Sequence, residues 1–458
     1  MRLNPLLAKV LAITVIVGLL MLALGRIGSL ADERQQRFHE ALASVEQSQA
    51  GRQALLGPVL HSQCSEEWDS VTGEGRERST TTHRREFQLT ATPRQLAVQA
   101  AVTMEPRYRG LFKVNTYVSR TQFKAQWPTL AALRPVAEHA GSRLVCQPPV
   151  LMVGVSDARG IRQAAVQVGG DSLMVAAGTG HKSHPRGFHV RLPEALRQAD
   201  APVIAEVTLE LVGTAELAVA PVADDTRMKL DANWPHPSFG GRFLPVAREV
   251  RDDGFSATWQ MSSLATTAPL DFARGAGLCA AHEGPEGKCI ESFNISFIDP
   301  VNPYSMSDRA IKYGLLFIAL TFVAVGLAEV MRRLRVHPIQ YLLVGSALSI
   351  FFLLLLSLSE HLSFGRSYAL ASAACVSLLG FYGRHLLGGW RAGALFGAGI
   401  AGLYGALYLL LQMEQTSLVI GSLLLFVVLA SAMVMTRRVD WYALLRSPGT
   451  PAAQPANN

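Results

Sequence analysis

Long apolar runs and alternating segments divide the chain into two kinds of sequence. Six runs are long enough to form helices across a membrane, because about 20 apolar residues span the roughly 30 Å hydrocarbon core. The runs are residues 6–25, 311–331, 339–358, 367–386, 392–412 and 417–436. Residues 31–308 instead have the composition of an ordinary water-soluble domain. The pattern predicts an α-helical membrane protein with six transmembrane helices and one large insert between helices 1 and 2.

The insert begins with helical spacing and then changes to β spacing. Phe38, Leu42 and Val45 recur at helical intervals, so the first helix is expected to continue beyond its apolar run and to end near Gly51. From there to residue 300, stretches such as REFQLTAT and FSATWQM alternate apolar with polar or small residues. This pattern is typical of a mainly antiparallel β domain, either one sandwich or two packed β subdomains.

These patterns predict four segments along the chain. They are an N-terminal transmembrane anchor (1–31), a β-rich domain with a short leading helix (32–308), a five-helix transmembrane bundle (309–436) and a cytoplasmic tail (437–458). The tail ends in SPGTPAAQPANN, which is short, rich in proline and alanine, and expected to be disordered. In the fifth apolar run, Gly393, Gly397, Gly399 and Gly402 predict close packing against a neighbouring helix.

The positively charged residues predict the orientation of the helices. One set of helix flanks carries Arg2, Lys9, Arg332, Arg333, Arg335, Arg384, Arg391, Arg437, Arg438 and Arg446. The flanks on the opposite side, SEHLSFGRS and EQTS, carry almost no positive charge. Because positive loops stay in the cytoplasm, both termini are expected there and the insert is expected outside. Ser29-Leu30-Ala31 also resembles a signal-peptide cleavage site, but the long apolar run and Arg26 favour an uncleaved anchor.

Composition and charge bear on the partners of the chain. Only 17% of the residues are charged, whereas soluble domains carry about 25%. The formal net charge is +7, but no basic face with interleaved aromatic residues stands out, so nucleic acid is not an expected partner. The partner that the composition predicts is the lipid bilayer.

The cysteines fit an insert in an oxidising compartment. Cys64, Cys146, Cys279 and Cys289 lie in the insert, while Cys375 lies in an apolar run. Four cysteines allow three pairings. Cys279 and Cys289 flank the segment CAAHEGPEGKC, so a short loop closed by a disulfide is expected, which leaves Cys64 to pair with Cys146. The alternative is free buried thiols, which are disfavoured outside the cytoplasm.

Five stretches, in order along the chain, carry a resemblance to a known family. They are VGVSDARGI (153–161), ANWPHPSFGGRFLP (232–245), YSMSDRAIKYGLLFIALTF (304–322), HPIQYLLVGSALSIFFLLLLSLSEHLSF (337–364) and DWYALL (440–445). Together they resemble the CreD family of bacterial inner-membrane proteins. The resemblance covers most of the chain, and it implies a multi-pass inner-membrane protein tied to cell-envelope integrity and to a response to envelope stress. It brings no catalytic residue or cofactor to carry over.

Three histidines in HKSHPRGFH (181–189) raise the hypothesis of a metal site. Zinc ligands are closely spaced histidines and cysteines, but no carboxylate or cysteine lies close in sequence, and glycine and proline predict a mobile loop. An exposed loop is therefore the favoured interpretation. His181 and His184 also depart from the family pattern, in which only His189 has a counterpart, and the four cysteines of the insert are not a family trait.

GVSDA (154–158) raises the hypothesis of a nucleophile, with Ser156, Asp157 and His236 as a triad. Ala158 stands where a G-x-S-x-G elbow needs its last glycine, and a triad is defined by geometry that a sequence does not supply. A tight turn between strands is favoured instead, with Asp157 bonded to its own backbone and Gly160 at positive φ.

Two acidic groups lie at the ends of membrane runs. Glu360 and His361 follow the third run and are expected at the outer interface, where they anchor the helix or contact the β domain. Ionisable groups in membranes are also functional candidates, so both residues remain candidate binding residues. Glu329 is expected to pair with Arg332 or Arg333 on its own helix.

The loop NWPHPSFGGRFLP (233–245) is the most distinctive stretch of the insert. Its prolines favour extended backbone, and Gly240-Gly241 predicts a turn that lets the aromatic rings fold onto a sheet. A lone histidine between prolines is a weak metal or catalytic signal. The loop is predicted to be a structural clamp or a partner-binding edge, with Trp234, His236, Phe239 and Arg242 as candidate binding residues.

The sequence therefore favours a non-enzymatic inner-membrane protein without a cofactor. Its periplasmic domain is expected to bind an envelope component or a protein partner. The alternative is a membrane-embedded transporter or enzyme that uses Glu360 and His361. The membrane runs carry almost no charge at their centres and show no clear inverted repeat, which favours the first hypothesis.

Overall fold

The computed structural model describes residues 5–72, 79–198, 200–280, 288–297, 299, 303–332, 334–412 and 417–437. The chain forms two compact units, of which the first comprises Met1–Phe38 with Val301–Asn458 and the second comprises His39–Pro300. Residues 438–458 of the predicted tail and the middle of CAAHEGPEGKC lie outside the described residues. The helices are α1 (Pro5–Ser48), α2 (Ala195–Gln198), α3 (Ala268–Ala273), α4 (Pro303–Lys312), α5 (Gly314–Arg332), α6 (Pro338–Ser359), α7 (Phe364–Leu386), α8 (Trp390–Gln412) and α9 (Ser417–Thr436).

The helices follow the apolar runs of the sequence closely. Among the described residues, α1, α5, α6, α7 and α8 are long and apolar enough to cross a membrane. The sixth predicted run coincides with α9, whose apolar part is the shorter helix Gly421–Val434. Helix α1 continues to Ser48, which confirms the predicted extension beyond its apolar run. Helix α6 begins with a capping box of His337 and Gln340 and with proline in its first turn, which satisfies free backbone N–H groups.

Small residues bring α7 and α8 together. A Cβ atom added to Gly393 would lie 2.6 Å from the backbone nitrogen of Arg384, and one on Gly397 would lie 3.3 Å from the Cα of Gly380. The predicted close packing is confirmed at these two glycines. It is wrong for Gly399 and Gly402, where an added Cβ meets no described atom within 4 Å.

The second unit is built from strands. They are β1 (Gln53–Thr72), β2 (Ser79–Ala91), β3 (Gln95–Met104), β4 (Arg107–Arg109), β5 (Phe112–Val114), β6 (Thr116–Trp127), β7 (Arg143–Cys146), β8 (Val150–Val155), β9 (Ile161–Val168), β10 (Asp171–Leu173), β11 (Ala176–Ala177), β12 (Gly187–Arg191), β13 (Val203–Thr214), β14 (Glu216–Ala220), β15 (Asp225–Ala232), β16 (Ser238–Gly241), β17 (Ala247–Arg251), β18 (Gly254–Ser262) and β19 (Phe293–Ser296).

Most of these strands join two large sheets. Sheet A has the order β11-β12-β8-β1-β14-β19-β16, with β2 and β7 also paired with β1. Sheet B has the order β10-β9-β13-β6-β3-β15-β18-β17, and β4 with β5 forms a separate pair. Strands β1 and β14 run parallel, as do β15 and β3. The domain is therefore a mixed but mainly antiparallel structure.

The two sheets enclose one hydrophobic core. Leu55 and Leu151 of sheet A are buried in the same cluster as Val98, Phe123 and Trp259 of sheet B. Of the two predicted alternatives, the structure is thus a single sandwich. Strands β3 and β15 of sheet B follow the expected alternation of buried and exposed residues.

Strand β1 departs from this alternation because both of its faces are covered. Its first ten residues are all buried. Leu55 faces the core between the sheets, whereas Leu56 and Val59 pack in a second cluster with Ala268 and Phe272 of α3. A strand that is covered on both sides carries a continuous apolar run rather than an alternating one.

Two disulfides connect parts of the second unit. Cys64 on β1 is bonded to Cys146 on β7, and Cys279 is bonded to Cys289. Cys375 in α7 is a free, buried thiol. Because Cys64 and Cys146 are 82 residues apart, their bond closes a much longer loop than the other and removes more freedom from the unfolded chain.

An ion pair joins three helices of the first unit. Lys9 Nζ on α1 donates to Glu329 Oε1 on α5, and the Tyr341 hydroxyl on α6 donates to Glu329 Oε2 at 3.0 Å. The predicted partner Arg333 and the side chain of Arg332 lie outside the described residues. The structure instead gives Glu329 a partner on another helix, which local spacing does not reveal.

We expect Lys9 and Glu329 to be strongly coupled, because their side chains are only 25% and 16% exposed. Removing either charge leaves the other poorly solvated, so Lys9→Met or Glu329→Leu should each lower the free energy of unfolding by about 2 kcal/mol. The double variant should lose much less than the sum. The measurement is a double-mutant cycle on the detergent-solubilised protein by denaturant unfolding.

The matched control is the exposed pair Glu33 and Arg37 on α1, with side chains 52% and 57% exposed. Glu33→Leu and Arg37→Met should show a coupling of only about 0.5 kcal/mol. Equal coupling energies in the two cycles would contradict the prediction.

Candidate functional site

The loop 233–245 turns its aromatic rings towards the β core. Trp234 is buried, and its Nε1 donates a hydrogen bond of 2.8 Å to the carbonyl oxygen of His236. The ring of Phe239 meets that of Trp259 edge-on at 5.8 Å between centroids. Trp259 Nε1 in turn donates to the carbonyl oxygen of Phe243 at 3.3 Å. These contacts favour the structural clamp among the two predicted roles.

The polar members of the loop lie on its outer side. His236 is exposed, and its ring contacts the edge of Trp234. Arg242 lies 3.7 Å from a carboxylate oxygen of Glu291. Within the described residues, no group of three or more His, Cys, Asp and Glu side chains could hold a metal ion. The binding role of His236 and Arg242 stays a prediction.

The two glycines of this loop form a strand end rather than the predicted turn. Gly240 and Gly241 belong to β16, which pairs with β19 at the edge of sheet A. Gly241 has φ of +82°, and a Cβ there would lie 2.4 Å from the carbonyl oxygen of Ser292. On Gly240 a Cβ would lie 2.5 Å from Asn294 Oδ1. Glycine is needed at residue 241 because the backbone of the neighbouring strand approaches too closely for any side chain, whereas at residue 240 the close atom belongs to a side chain.

The GVSDARG stretch holds the C-terminal end of α1. Arg159 Nη2 lies 2.6 Å from Asp157 Oδ2 and donates to the carbonyl oxygen of Glu46 at 3.1 Å. Arg159 Nη1 donates to the carbonyl oxygen of Gln47, and the backbone N–H of Gly51 donates to Asp157 Oδ2 at 3.1 Å. The last carbonyls of a helix lack partners and carry partial negative charge, so the guanidinium stabilises this helix end.

The surroundings of Asp157 favour its ionised form, which pairs with Arg159. Burial opposes its ionisation, but hydrogen bonds from Arg159 and from the Gly51 N–H outweigh burial, so the pKa of Asp157 lies below its usual value. The residue also begins a short turn, Ala158–Gly160, where it accepts a hydrogen bond from the Arg159 N–H. The predicted tight turn is therefore present.

The predicted positive φ at Gly160 is wrong. Glycine is required there because neighbouring atoms leave no room for a side chain. Its φ is not in the left-handed region, and an added Cβ would lie 2.3 Å from the carbonyl oxygen of Val212. It would also lie 2.4 Å from Gln53 Nε2, which donates to the carbonyl oxygens of Asp157 and Val212 at 3.0 Å. Any side chain at residue 160 would displace this amide.

Ser156 and Asp157 are occupied by backbone hydrogen bonds instead of forming a triad with His236. Ser156 Oγ donates to the carbonyl oxygen of Arg52 at 2.9 Å and accepts from the N–H of Ala54 at 2.9 Å. His236 belongs to the other loop and is exposed. Ser156 therefore holds the start of β1 against the end of β8.

The prediction of an exposed loop at 181–189 is wrong for His181 and His184, although Lys182, Ser183, Pro185 and Arg186 are exposed. His181 and His184 are only 7% and 4% exposed, and they lie with His61 of β1, which is 2% exposed. The rings of His181 and His184 are 5.1 Å apart and both pack on Phe272 of α3 at 5.2 and 5.3 Å. The aromatic rings let this segment close over sheet A, an effect that local composition does not reveal.

The three histidines are held in their neutral form. Burial lowers the pKa of each, and for His181 the nearby His184 and His61 lower it further, to about 4. His61 Nε2 lies 2.9 Å from the carbonyl oxygen of Thr179. His61 Nδ1 and His184 Nε2 are buried without a hydrogen-bond partner among the described residues, so a proton there would be poorly solvated.

Sequence reasoning also missed a buried carboxylate on β1. The side chain of Glu66 is fully buried, and it accepts hydrogen bonds from the N–H groups of His139 and Glu138 at 3.0 and 2.9 Å and from Ser142 Oγ at 2.8 Å. The His139 N–H bond is the largest of several causes that lower the pKa of Glu66 to about 2. Arg85 Nη2 also donates to Glu66 Oε2, at 2.9 Å. An acidic residue within an alternating strand gave no signal of this role.

The structure separates the two candidates at the end of α6. Glu360 follows the last turn, is 13% exposed in its side chain and lies 3.3 Å from Arg34 Nε of α1. Tyr304 of α4 is close by, and burial together with the charge of Glu360 raises its pKa. His361 is exposed. Glu360 thus anchors helices of the first unit to one another, and its role in binding stays a prediction.

Comparisons with known proteins give one clear relationship. A family model described as inner membrane protein CreD matches residues 5–442. The inner membrane protein CreD of Escherichia coli (strain K12) is 34% identical over 442 residues, which cover 96% of this chain and 94% of that protein. Two crystal structures of M1 zinc metallopeptidase from Deinococcus radiodurans match at 10% identity with TM-scores of 0.20 and 0.18. They cover 45% and 37% of this chain and 42% and 38% of theirs, and such low TM-scores carry no argument.

We expect the histidine cluster to make the protein sensitive to acid. Its histidines have lowered pKa values, so their contribution is fully present above the unfolded pKa near 6.5 and is lost as the pH falls from there towards about 4. His184→Phe removes one titrating ring and its unpartnered nitrogen. Between pH 7.5 and 5.0 the Tm of this variant should fall by about 2–4 °C less than that of the wild type.

Thermal unfolding of the detergent-solubilised protein measures this difference. His236→Phe is the matched control, because His236 is exposed, and it should show the acid sensitivity of the wild type. The prediction fails if His184→Phe and His236→Phe respond equally to pH.

We also expect Gly241→Ala to destabilise the sandwich, because it combines positive φ with a collision against β19. Gly170→Ala is the control, since Gly170 has φ of +97° but nothing within 4 Å of an added Cβ. The control should lose about 1 kcal/mol from backbone strain alone, and Gly241→Ala should lose at least about 2 kcal/mol more. Denaturant unfolding decides this, and equal losses would show that the strand has room for the methyl group.

Proposed function

The chain belongs to the CreD family of inner membrane proteins, and from this premise we propose that it supports the integrity of the cell envelope through its β domain. In this proposal the domain lies in the periplasm and binds an envelope component or a protein partner. Both termini lie in the cytoplasm, with the positive flanks of the helices. The disulfides Cys64–Cys146 and Cys279–Cys289 support this orientation, because disulfides persist in oxidising compartments.

One observation supports binding rather than catalysis. The polar side chains that the sequence offers as catalytic groups are engaged in holding the fold: Ser156 bonds the backbone of β1 and its flank, and Asp157 bonds Arg159 and Gly51. The domain is a large sandwich with one sheet face that presents polar side chains to solvent. We therefore propose a non-enzymatic role that needs no cofactor.

The alternative of a transporter or enzyme that uses Glu360 and His361 has less support. Arg34 lies 3.3 Å from Glu360, so the carboxylate is already engaged in an ion pair between α1 and α6. His361 is exposed.

A complementation experiment tests the proposal against its alternative. The full chain is expressed in a bacterium that lacks its own family member, and survival under low osmolarity and detergent is measured. The wild type, Glu360→Gln and His361→Ala should all restore survival to within about twofold, since glutamine keeps the size and an acceptor oxygen of Glu360 and His361 is exposed. Loss of survival in Glu360→Gln at normal protein level would overturn the proposal in favour of the alternative. Failure of the wild type to restore survival would overturn the envelope role itself.

A further inference from the structure

The outer face of sheet B carries an open groove of about 550 Å³. It crosses five neighbouring strands, β9, β13, β6, β3 and β15. The strand registers place its side chains in two rows. The first row is Ala165, Thr208, Gln122, Gln99 and Lys229, and the second row is Gln163, Glu210, Arg120, Ala101 and Asp231.

The floor of the groove is held rigidly by the sandwich core. Residues next to the two rows along each strand point inward, and Val98, Phe123, Leu209 and Leu230 are at most 1% exposed. Strands β6 and β13 pair continuously from one end to the other. A binding surface on such a floor loses little freedom when a ligand arrives.

The charges of the groove cancel within it. Arg120 lies 3.1 Å from Glu210, and Lys229 lies 3.5 Å from Asp231. At the rim, Lys124 lies 2.9 Å from Glu206, and Arg162 lies 3.7 Å from Glu210 and 3.8 Å from Glu105. Each cation therefore has an anion beside it, so the groove offers no net attraction to a charged ligand and complements a neutral one.

The groups that remain for a ligand are neutral and polar. Gln99, Gln122, Gln163 and Thr208 are exposed, and none of them has a side-chain hydrogen bond to another described residue. A glutamine amide offers two donors and one acceptor, and a threonine hydroxyl offers both functions. Ala101 and Ala165 leave space between these side chains. Such an array matches the adjacent hydroxyl groups of a sugar.

We propose that this groove binds a neutral oligosaccharide. A peptide is a poorer occupant, because extended peptides bind at sheet edges through backbone groups and through apolar pockets, whereas the groove lies over central strands and its polar side chains surround only small alanines. The lining holds no aromatic ring on which a sugar could stack, so hydrogen bonds act alone and the expected Kd is about 1 mM. This inference rests on the proposed function and names one class of envelope component.

The test uses the full chain in lauryldimethylamine oxide micelles, because maltoside detergents would supply competing sugars. The probes are maltotetraose and tetra-N-acetylchitotetraose, and binding is followed by saturation-transfer NMR. At least one probe should bind. The double variant Gln99→Ala/Gln122→Ala should bind about tenfold more weakly, since each lost hydrogen bond removes a modest amount of affinity.

Gln260→Ala is the matched control, because Gln260 is exposed on β18 of the same sheet but lies outside the groove. It should bind as the wild type does, and 0.5 M NaCl should leave the affinity unchanged because the groove is neutral. The inference is overturned if neither probe binds, if the double variant binds as well as the wild type, or if 0.5 M NaCl abolishes binding.

The two proposals fail separately. If the wild type restores survival under envelope stress but neither probe binds, the groove assignment is wrong and the envelope role stands. If a probe binds with the expected variant pattern but the wild type does not restore survival, the groove is a sugar site and the envelope role is wrong.

Discussion

The burial of strand β1 on both faces is the constraint on which the β domain depends. The first half of the strand lies between the inter-sheet core and the cluster beneath α3, and it pairs with β8 and β14. The second half pairs with β2 and β7 and carries Cys64 and Glu66. His61 lies between these halves. A single strand thus positions the core, a disulfide, a buried carboxylate and the histidine cluster, which explains why polar groups along it are so completely buried.

Charged side chains in this protein mostly fix structure. Lys9 with Glu329, and Arg34 with Glu360, join α1 to other helices of the first unit. In the second unit, Arg159 stabilises the end of α1. Buried ions are costly unless they are paired, and a wrong arrangement of helices would leave these charges unmatched. The pairs Lys9–Glu329 and Arg34–Glu360 therefore help to select one arrangement of the helices of the first unit.

The sequence predicts what depends on local periodicity. Apolar runs locate the helices of the first unit, and the helical spacing of Phe38, Leu42 and Val45 predicts the extension of α1. The alternation of β3 is equally visible. Contacts between distant segments cannot be predicted in this way. His61 contacts His181 only because β1 lies beneath the loop. Glu329 pairs with Lys9, which is 320 residues away in sequence. Those pairings depend on topology, which no window of sequence contains.

The same limit applies to the candidate sites. Gly240 and Gly241 are visible as unusual residues, but whether they make a turn or admit a neighbouring strand depends on where β19 lies. The groove on sheet B is invisible in sequence for a related reason. Its glutamines come from three strands that are far apart along the chain, and each one alone is an ordinary exposed residue.

The contact between Arg159 and the C-terminal end of α1 determines which sequence changes this helix end tolerates. Arg159 binds the backbone carbonyls of Glu46 and Gln47, not their side chains. Every amino acid presents the same carbonyl, so this contact with Arg159 does not depend on which side chains residues 46 and 47 carry. Insertion or deletion of one residue between Gln47 and Gly51 is different, because Asp157 also holds the Gly51 N–H and one helical residue corresponds to a turn of about 100°. The contact therefore fixes the length of this helix end more strictly than its composition.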